Sequence, residues 1–276
     1  MTVISVDKLF HRYAEREALR GISFEVSQGE LFGLVGPNGG GKSTTFKILS
    51  SLLKIQQGTV KVLGRDLSKE AGHIRGDLGV LFQSPAVDKK LTLYENMLCQ
   101  GSLYGLKKGK IEERTQELLT RLGLWERRDE KTESLSGGLK RRLEIAKALI
   151  HEPKILILDE PTTGLDPKAR HEFWGYLNEV RKRRALTVLL TTHLLDEADQ
   201  CDRVALLNEG KIVACEKPEV LKASVGGDVI RLTTPNATDL IPRLHESFRE
   251  DIGSVLLVKP TLEDFFLKET GKEYSV

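Results

Sequence analysis

The sequence predicts an α/β fold: a mainly parallel sheet with helices on its faces, an antiparallel β portion and a small C-terminal α+β unit. Three observations predict it. Short β-branched runs alternate with helical stretches through the first 215 residues, the pattern of strands joined by crossover helices. The apolar run Leu31–Val35 leads at once into Gly36-Pro37-Asn38-Gly39-Gly40-Gly41-Lys42-Ser43, a glycine loop between a strand and a helix. A second apolar run, Ile155-Leu156-Ile157-Leu158, ends in Asp159-Glu160. A fully apolar run fits a central parallel strand, whose C-terminal end is where open sheets place ligands.

In chain order, runs at 3–6, 22–26, 31–35, 59–62, 79–82, 155–158, 187–191 and 203–207 read as strands. The turn residues Ser27-Gln28-Gly29 between the second and third runs predict an antiparallel hairpin attached to the parallel core. Helices are predicted at 42–53, behind the glycine loop, and at 110–122, where Ile111, Leu118, Leu119 and Leu122 recur at helical spacing. A third, at 138–150, carries Leu139, Leu143, Ala146 and Leu149 on one face, and a fourth, at 168–182, opens after Pro167. After Pro218 the texture changes: runs at 229–233 and 254–258 read as strands, with helical pieces near 238–250 and 262–270. The expected division is a main domain at 1–216 and an accessory unit at 217–276.

Composition bounds what such a fold can do. With 39% hydrophobic and 30% charged residues over 276 positions, the chain can bury a core without staples and is too apolar for disorder. Lys and Arg total 42 against 40 Asp and Glu, so no broad basic field argues for a nucleic-acid partner. Cys99, Cys201 and Cys215 form no C-x-x-C pair, which speaks against a zinc site or disulfide framework and for a reducing compartment. The N-terminal stretch reaches Asp7 without an apolar core, so no secretory signal is expected. No aliphatic run approaches the ~20 residues of a membrane span, and the chain is not expected to cross a membrane itself.

The glycine loop matches G-x-x-x-x-G-K-S in its required context, after a strand and before a helix. Residues Gly36, Pro37, Asn38, Gly39, Gly40 and Gly41 let successive N–H groups curl into an anion nest at a helix N-terminus, which Thr44 helps to open. Lys42 reaches β- and γ-phosphates, and the Ser43 hydroxyl ligates Mg²⁺. Asp159 is placed to bind the same ion through water. Glu160 is then the candidate general base, orienting and deprotonating the attacking water.

Leu135-Ser136-Gly137-Gly138 opens a helix 94 residues after Lys42 and 23 before Asp159, counted from Ser136. In that order and spacing the set resembles the ATP-binding cassette (ABC) family of ATPases, over residues 1 to about 215. The resemblance implies a P-loop NTPase cassette with a helical subdomain at about 84–150, and with ATP and Mg²⁺ as cofactors. It implies that Tyr13 stacks on adenine, that Gln83 senses the γ-phosphate and metal and abuts a membrane subunit, and that His193 contacts the γ-phosphate. Pro161-Thr162-Thr163-Gly164-Leu165-Asp166 resembles the family's D-loop, which crosses between subunits. Three positions depart slightly: Ala14 where glycine is usual, Gly40 where alanine is common, and Thr163 where serine is common.

The family resemblance also implies a dimer. Ser136, Gly137 and Gly138 form a second anion-binding helix end, which closes over the γ-phosphate of a partner cassette. One copy of each motif therefore requires a second copy of this chain or a sister chain. A ribosome- or DNA-acting member is disfavoured, because there is one cassette, no long coiled-coil insertion and no basic field. The transporter reading remains, with a separate permease as partner and a peripheral place at the cytoplasmic face of the membrane. The segment LSGGLKRRLEIAKAL and the terminal PTLEDFFL resemble the ABC-2 type exporter branch. The cluster Lys140-Arg141-Arg142 reads either as a solvated helix face or as a surface near the permease or anionic lipid. Leu91, Leu93, Tyr94, Met97 and Leu98 read as core or as docking surface.

Overall fold

The computed structural model describes residues 1–84, 86–224, 229–233 and 254–258. The chain opens with two long strands, β1 (Thr2–Tyr13) and β2 (Arg16–Ser27), and then β3 (Leu31–Val35), which runs into α1 (Lys42–Leu49). Next come β4 (Gln57–Val62), β5 (Arg65–Asp66), α2 (Leu67–Asp77) and β6 (Leu78–Leu81). A helical arm follows: α3 (Leu93–Leu103), α4 (Lys108–Arg121) and α5 (Gly137–Leu149). The chain returns through β7 (Ile155–Asp159), α6 (Pro167–Arg184), β8 (Thr187–Thr192), α7 (Leu195–Ala198), β9 (Arg203–Asn208), β10 (Lys211–Glu216) and α8 (Pro218–Ser224). Beyond these lie β11 (Val229–Thr233) and β12 (Ser254–Val258).

Two sheets divide the strands by their residue pattern. β3, β7 and β8 are buried at every position, as strands covered on both faces must be. They sit inside the sheet β10-β9-β3-β8-β7-β6, parallel from β9 to β6 and closed at one edge by antiparallel β10. β1 and β2 alternate buried and exposed over much of their length and form the antiparallel sheet β2-β1-β4-β5. One apolar cluster (Ile4, Phe24, Phe32, Phe46, Ile157 among others) fills the space between the sheets, and a second joins the parallel sheet to the helical arm.

The predicted hairpin between 22–26 and 31–35 is not formed. β2 pairs with β1, turning at Ala14 and Glu15, whereas β3 inserts between β8 and β9. Gly29, at a φ of 74°, turns the chain from one sheet into the other. The wholly apolar β3 needs cover on both faces, which a place beside the half-solvated β2 could not supply.

The helix predicted at 42–53 stops at Leu49, and Ser51 follows with a left-handed φ of 59°. α2 escapes a periodicity reading because it buries only Leu67 and Ile74 and contains Gly72 and Gly76. α3 starts in a reciprocal cap, the Thr92 hydroxyl accepting from Glu95 N–H while the Glu95 carboxylate accepts from Thr92 N–H. Its Leu93 and Met97 are fully buried and Leu98 packs against them, so these are core. α8 packs on the same body, with Leu221 buried in the cluster under the parallel sheet and Lys222 paired to Asp199 at 2.6 Å. β11 and β12 form a separate antiparallel pair, as the sequence predicts; the helical pieces near 238–250 and 262–270 lie outside the described residues. Among the described residues no helix is long and apolar enough to cross a membrane.

Candidate functional site

The glycine loop leaves the C-terminal end of β3 and wraps the start of α1. Two glycines are required by space. A Cβ on Gly36 would lie 2.0 Å from the Leu207 carbonyl oxygen, and one on Gly41, at a φ of 110°, would lie 2.7 Å from that of Ala18. The backbone can curl this tightly only without side chains, and glycine-rich turns at a helix start are the kind of backbone that forms anion nests. Lys42, 3% exposed, donates to the carbonyls of Gly36 at 2.7 Å and Pro37 at 3.0 Å. Burial lowers its pKa, partly offset by Glu160 and Asp159.

A cavity of about 310 Å³ opens beside this loop. Asn38, Gly39, Gly41, Lys42, Ser43 and Thr44 line one side, and Tyr13, Arg16 and Ala18 the other. Tyr13 ends β1, is 43% exposed, and has its ring edge-on to His11 at 4.6 Å. Arg16 donates to the Gly39 carbonyl at 2.9 Å and so fastens the β1–β2 hairpin to the loop. It carries no motif signal, and sequence reasoning missed it. A larger cleft, about 590 Å³, lies at the opposite end of the parallel strands beside Met1, Lys154 and Thr187, far from the loop in topology and without its donors.

The second half of the site is the end of β7. The Asp159 carboxylate accepts from the Thr191 hydroxyl. Burial raises its pKa, with that hydrogen bond and Lys42 pulling the other way. Glu160 adopts a left-handed φ of 43°, and its N–H donates to both the carbonyl and the hydroxyl of Thr191 at 3.1 Å. Backbone strain of this kind is stored at functional sites when the surroundings over-determine it.

Four side chains converge on the Glu160 carboxylate. Gln83 donates its amide to Oε2 at 2.9 Å, and the Thr163 hydroxyl donates to the same oxygen at 3.3 Å. Oε1 lies 3.8 Å from Lys42 Nζ and 3.3 Å from His193 Nδ1. The His193 contact lacks hydrogen-bond geometry. The fold therefore brings Lys42, Gln83, Glu160 and His193 into one cluster, with Asp159 beside it. Among the described residues no group of three or more His, Cys, Asp or Glu is arranged to hold a metal. The donor set at hand, a hydroxyl, a carboxylate and an amide, is hard oxygen chemistry. That set fits Mg²⁺ bound by few protein ligands plus phosphates, and does not fit zinc or a softer ion.

Ser136 and Asp166 lie elsewhere. Ser136 caps α5, its hydroxyl accepting from Leu139 N–H at 3.4 Å, and Asp166 caps α6, accepting from Ala169 N–H at 2.8 Å. Neither these residues nor Gly137 and Gly138 line the loop cavity. A Cβ on Gly138 would sit 3.1 Å from that of Ala169, so the two capped helix starts adjoin and share an exposed face.

The Lys140-Arg141-Arg142 cluster is not one solvated face. Arg141 is 6% exposed and bonds inward, Arg142 pairs with Glu172, and Lys140 donates to the Glu133 carbonyl. Burial lowers the pKa of Arg141 while Glu144 raises it. Glu197, also missed, accepts from the hydroxyls of Thr162 and Thr192, tying the loop after Glu160 to the strand end before His193. Each sits beside other charged residues on a helix, Arg141 between Lys140 and Arg142 and Glu197 after Asp196, a pattern that normally means solvent.

Over residues 19–163 the sequence matches the family described as ABC transporter. It is 36% identical to the Nod factor export ATP-binding protein I of Paraburkholderia xenovorans, over 98% of this chain and 97% of that protein. It is 40% identical to the daunorubicin/doxorubicin resistance ATP-binding protein of Streptomyces peucetius, over 85% of this chain and 71% of that protein. A dimeric, post-hydrolysis ATP-binding cassette bound to ADP and phosphate superposes with a TM-score of 0.70 at 28% identity, over 78% of this chain and 98% of that one.

Proposed function

The chain belongs to the ABC transporter family as an ATP-binding, ATP-hydrolysing subunit, and from that premise we propose how its residues divide the work. The observation that carries the proposal is the convergence of Gln83, Thr163, Lys42 and His193 on the Glu160 carboxylate, beside the phosphate loop. The loop N–H groups and Lys42 hold the β- and γ-phosphates, and Tyr13 stacks on adenine. Ser43, Asp159 and Gln83 would hold Mg²⁺, which when bound would neutralise charge on the phosphate oxygens. Glu160 takes a proton from the water that attacks the γ-phosphorus as the bond to the bridging oxygen breaks, leaving ADP and phosphate. Gln83 fixes the carboxylate, and His193 contacts the γ-phosphate.

Ser136, Gly137, Gly138 and Asp166 complete this site from a second chain. Support comes from their shared exposed face, separate from the loop cavity of their own chain, and from the dimeric state of the similar ADP-bound cassette. Closure on ATP and opening after hydrolysis then drive a permease, which the chain meets at the cytoplasmic face of the membrane. Relatives named for Nod factor export and drug resistance support an ABC-2 type exporter. The cassette runs through α8, since Leu221 is buried in its core, and the accessory unit follows. Phosphate release by the purified chain, followed over a range of protein concentrations with ATP and Mg²⁺, tests the shared site. Specific activity should rise with concentration as dimers form. A specific activity independent of concentration in a chain that stays monomeric would contradict it.

A further inference from the structure

Resting on that reading of Glu160, we propose that Arg141, Glu144 and Lys147 form a positioning stripe that locks Gln83 and Glu160 to the signature helix. The three residues stand at i, i+3 and i+6 of α5, on one face. Arg141 spends all five of its N–H groups. Nε donates to the Pro161 carbonyl at 2.6 Å, and Nη1 donates to that of Phe82 at 2.5 Å and to Glu144 Oε2 at 3.1 Å. Nη2 donates to the carbonyls of Asp159 at 3.3 Å and Glu160 at 3.2 Å. One guanidinium thus holds the peptide before Gln83 and three consecutive carbonyls around the left-handed Glu160.

The rest of the stripe holds the chain beyond Gln83. Glu144 Oε1 accepts from Ala86 N–H at 2.6 Å, and Lys147 Nζ donates to the Ala86 carbonyl at 2.7 Å. Gln83 is therefore bracketed on both sides, at Phe82 and Ala86, by the helix whose first residues are Gly137 and Gly138. A displacement of the segment after Gln83 moves α5, and a displacement of α5 moves the Asp159-Glu160-Pro161 backbone. Only a planar fork with five donors can span these acceptors; a lysine has three donors on one atom and cannot.

Steady-state kinetics and nucleotide titration of the full chain test this, with Arg141→Lys and Lys147→Met beside Glu160→Gln. Arg141→Lys should lower kcat at least tenfold while the Kd for ATP stays within about twofold of wild type, because the stripe touches no cavity residue. Lys147→Met, which leaves the buried fork in place, should lower kcat about threefold with the same unchanged Kd. A thermal melt reports folding; if Arg141→Lys does not fold, Lys147→Met decides the question. Wild-type kcat in the folded variants, or a loss confined to ATP affinity, overturns the proposal. If Glu160→Gln itself retains activity, it is instead the reading of the base that fails.

Discussion

The side-chain amide of Gln83, just past β6, donates to Glu160 Oε2, just past β7, at 2.9 Å. That bond spends one carboxylate oxygen on orientation and leaves Oε1 facing Lys42 and His193. Gln83→Ala removes the restraint without removing the carboxylate. We predict a fall in kcat of about tenfold, less than the roughly 10²–10⁴-fold contribution of a general base because the carboxylate itself remains, with a smaller change in KM. An unchanged kcat in a steady-state assay would refute the positioning role.

The proposed adenine contact rests on the exposed Tyr13 at the edge of the loop cavity. Stacking of a base on an aromatic ring contributes about 1–3 kcal/mol, so Tyr13→Ala should weaken ATP binding roughly 5- to 150-fold. Tyr13→Phe should bind nearly as wild type, since the face and not the hydroxyl is used. Titration calorimetry with ATP compares the three; equal affinity for Tyr13→Ala would remove the residue from the site.

The buried acid of β7 predicts a pH signature. Asp159 has its pKa raised by burial, against the pull of the Thr191 hydroxyl and Lys42. An acid raised in the folded state stabilises the fold fully below its unfolded pKa and loses that contribution as pH climbs through the folded value. At neutral pH the ligand-free protein therefore carries the penalty of the buried charge. Asp159→Asn keeps an oxygen for Thr191 and sheds the charge, so its Tm at pH 7 should exceed wild type by about 2–4 °C per kcal/mol relieved. The gap should narrow on acidification toward pH 4. A lower Tm for the variant at pH 7 would contradict this.

Ala14 turns the β1–β2 hairpin at a φ of 45°, where a Cβ costs roughly 1–2 kcal/mol. Replacing alanine by glycine loses about 0.4–1 kcal/mol through the freer unfolded chain. The strain term is the larger, so Ala14→Gly should stabilise the protein by roughly 0.5 kcal/mol. Urea denaturation reads it; a lower midpoint at unchanged slope would mean the turn is not strained.

The sequence made the phosphate loop and the acidic strand legible because both are local: a few consecutive residues carry the chemistry and their flanking strand carries the context. Strand partners were less legible. β2 and β3 are neighbours in sequence and separated by a turn, yet burial on one face or two sends them to different sheets. Arg141 was hidden because its acceptors, from Phe82 to Pro161, are supplied by distant backbone, and carbonyls leave no mark in a sequence. The position of Ser136 away from the loop cavity likewise follows from tertiary structure; only the family resemblance anticipated a partner chain.

Glu160→Gln puts to the test the proposal that Glu160 is the base of a site closed by two chains. The variant keeps the size of the side chain and an acceptor oxygen but cannot take a proton. Purified full-length variant is mixed with ATP and Mg²⁺, and phosphate release and molecular mass are followed together. Release should be at least about 100-fold slower than wild type, with ATP retained and a dimer that persists while ATP is present and is absent without it. Phosphate release near the wild-type rate would contradict it.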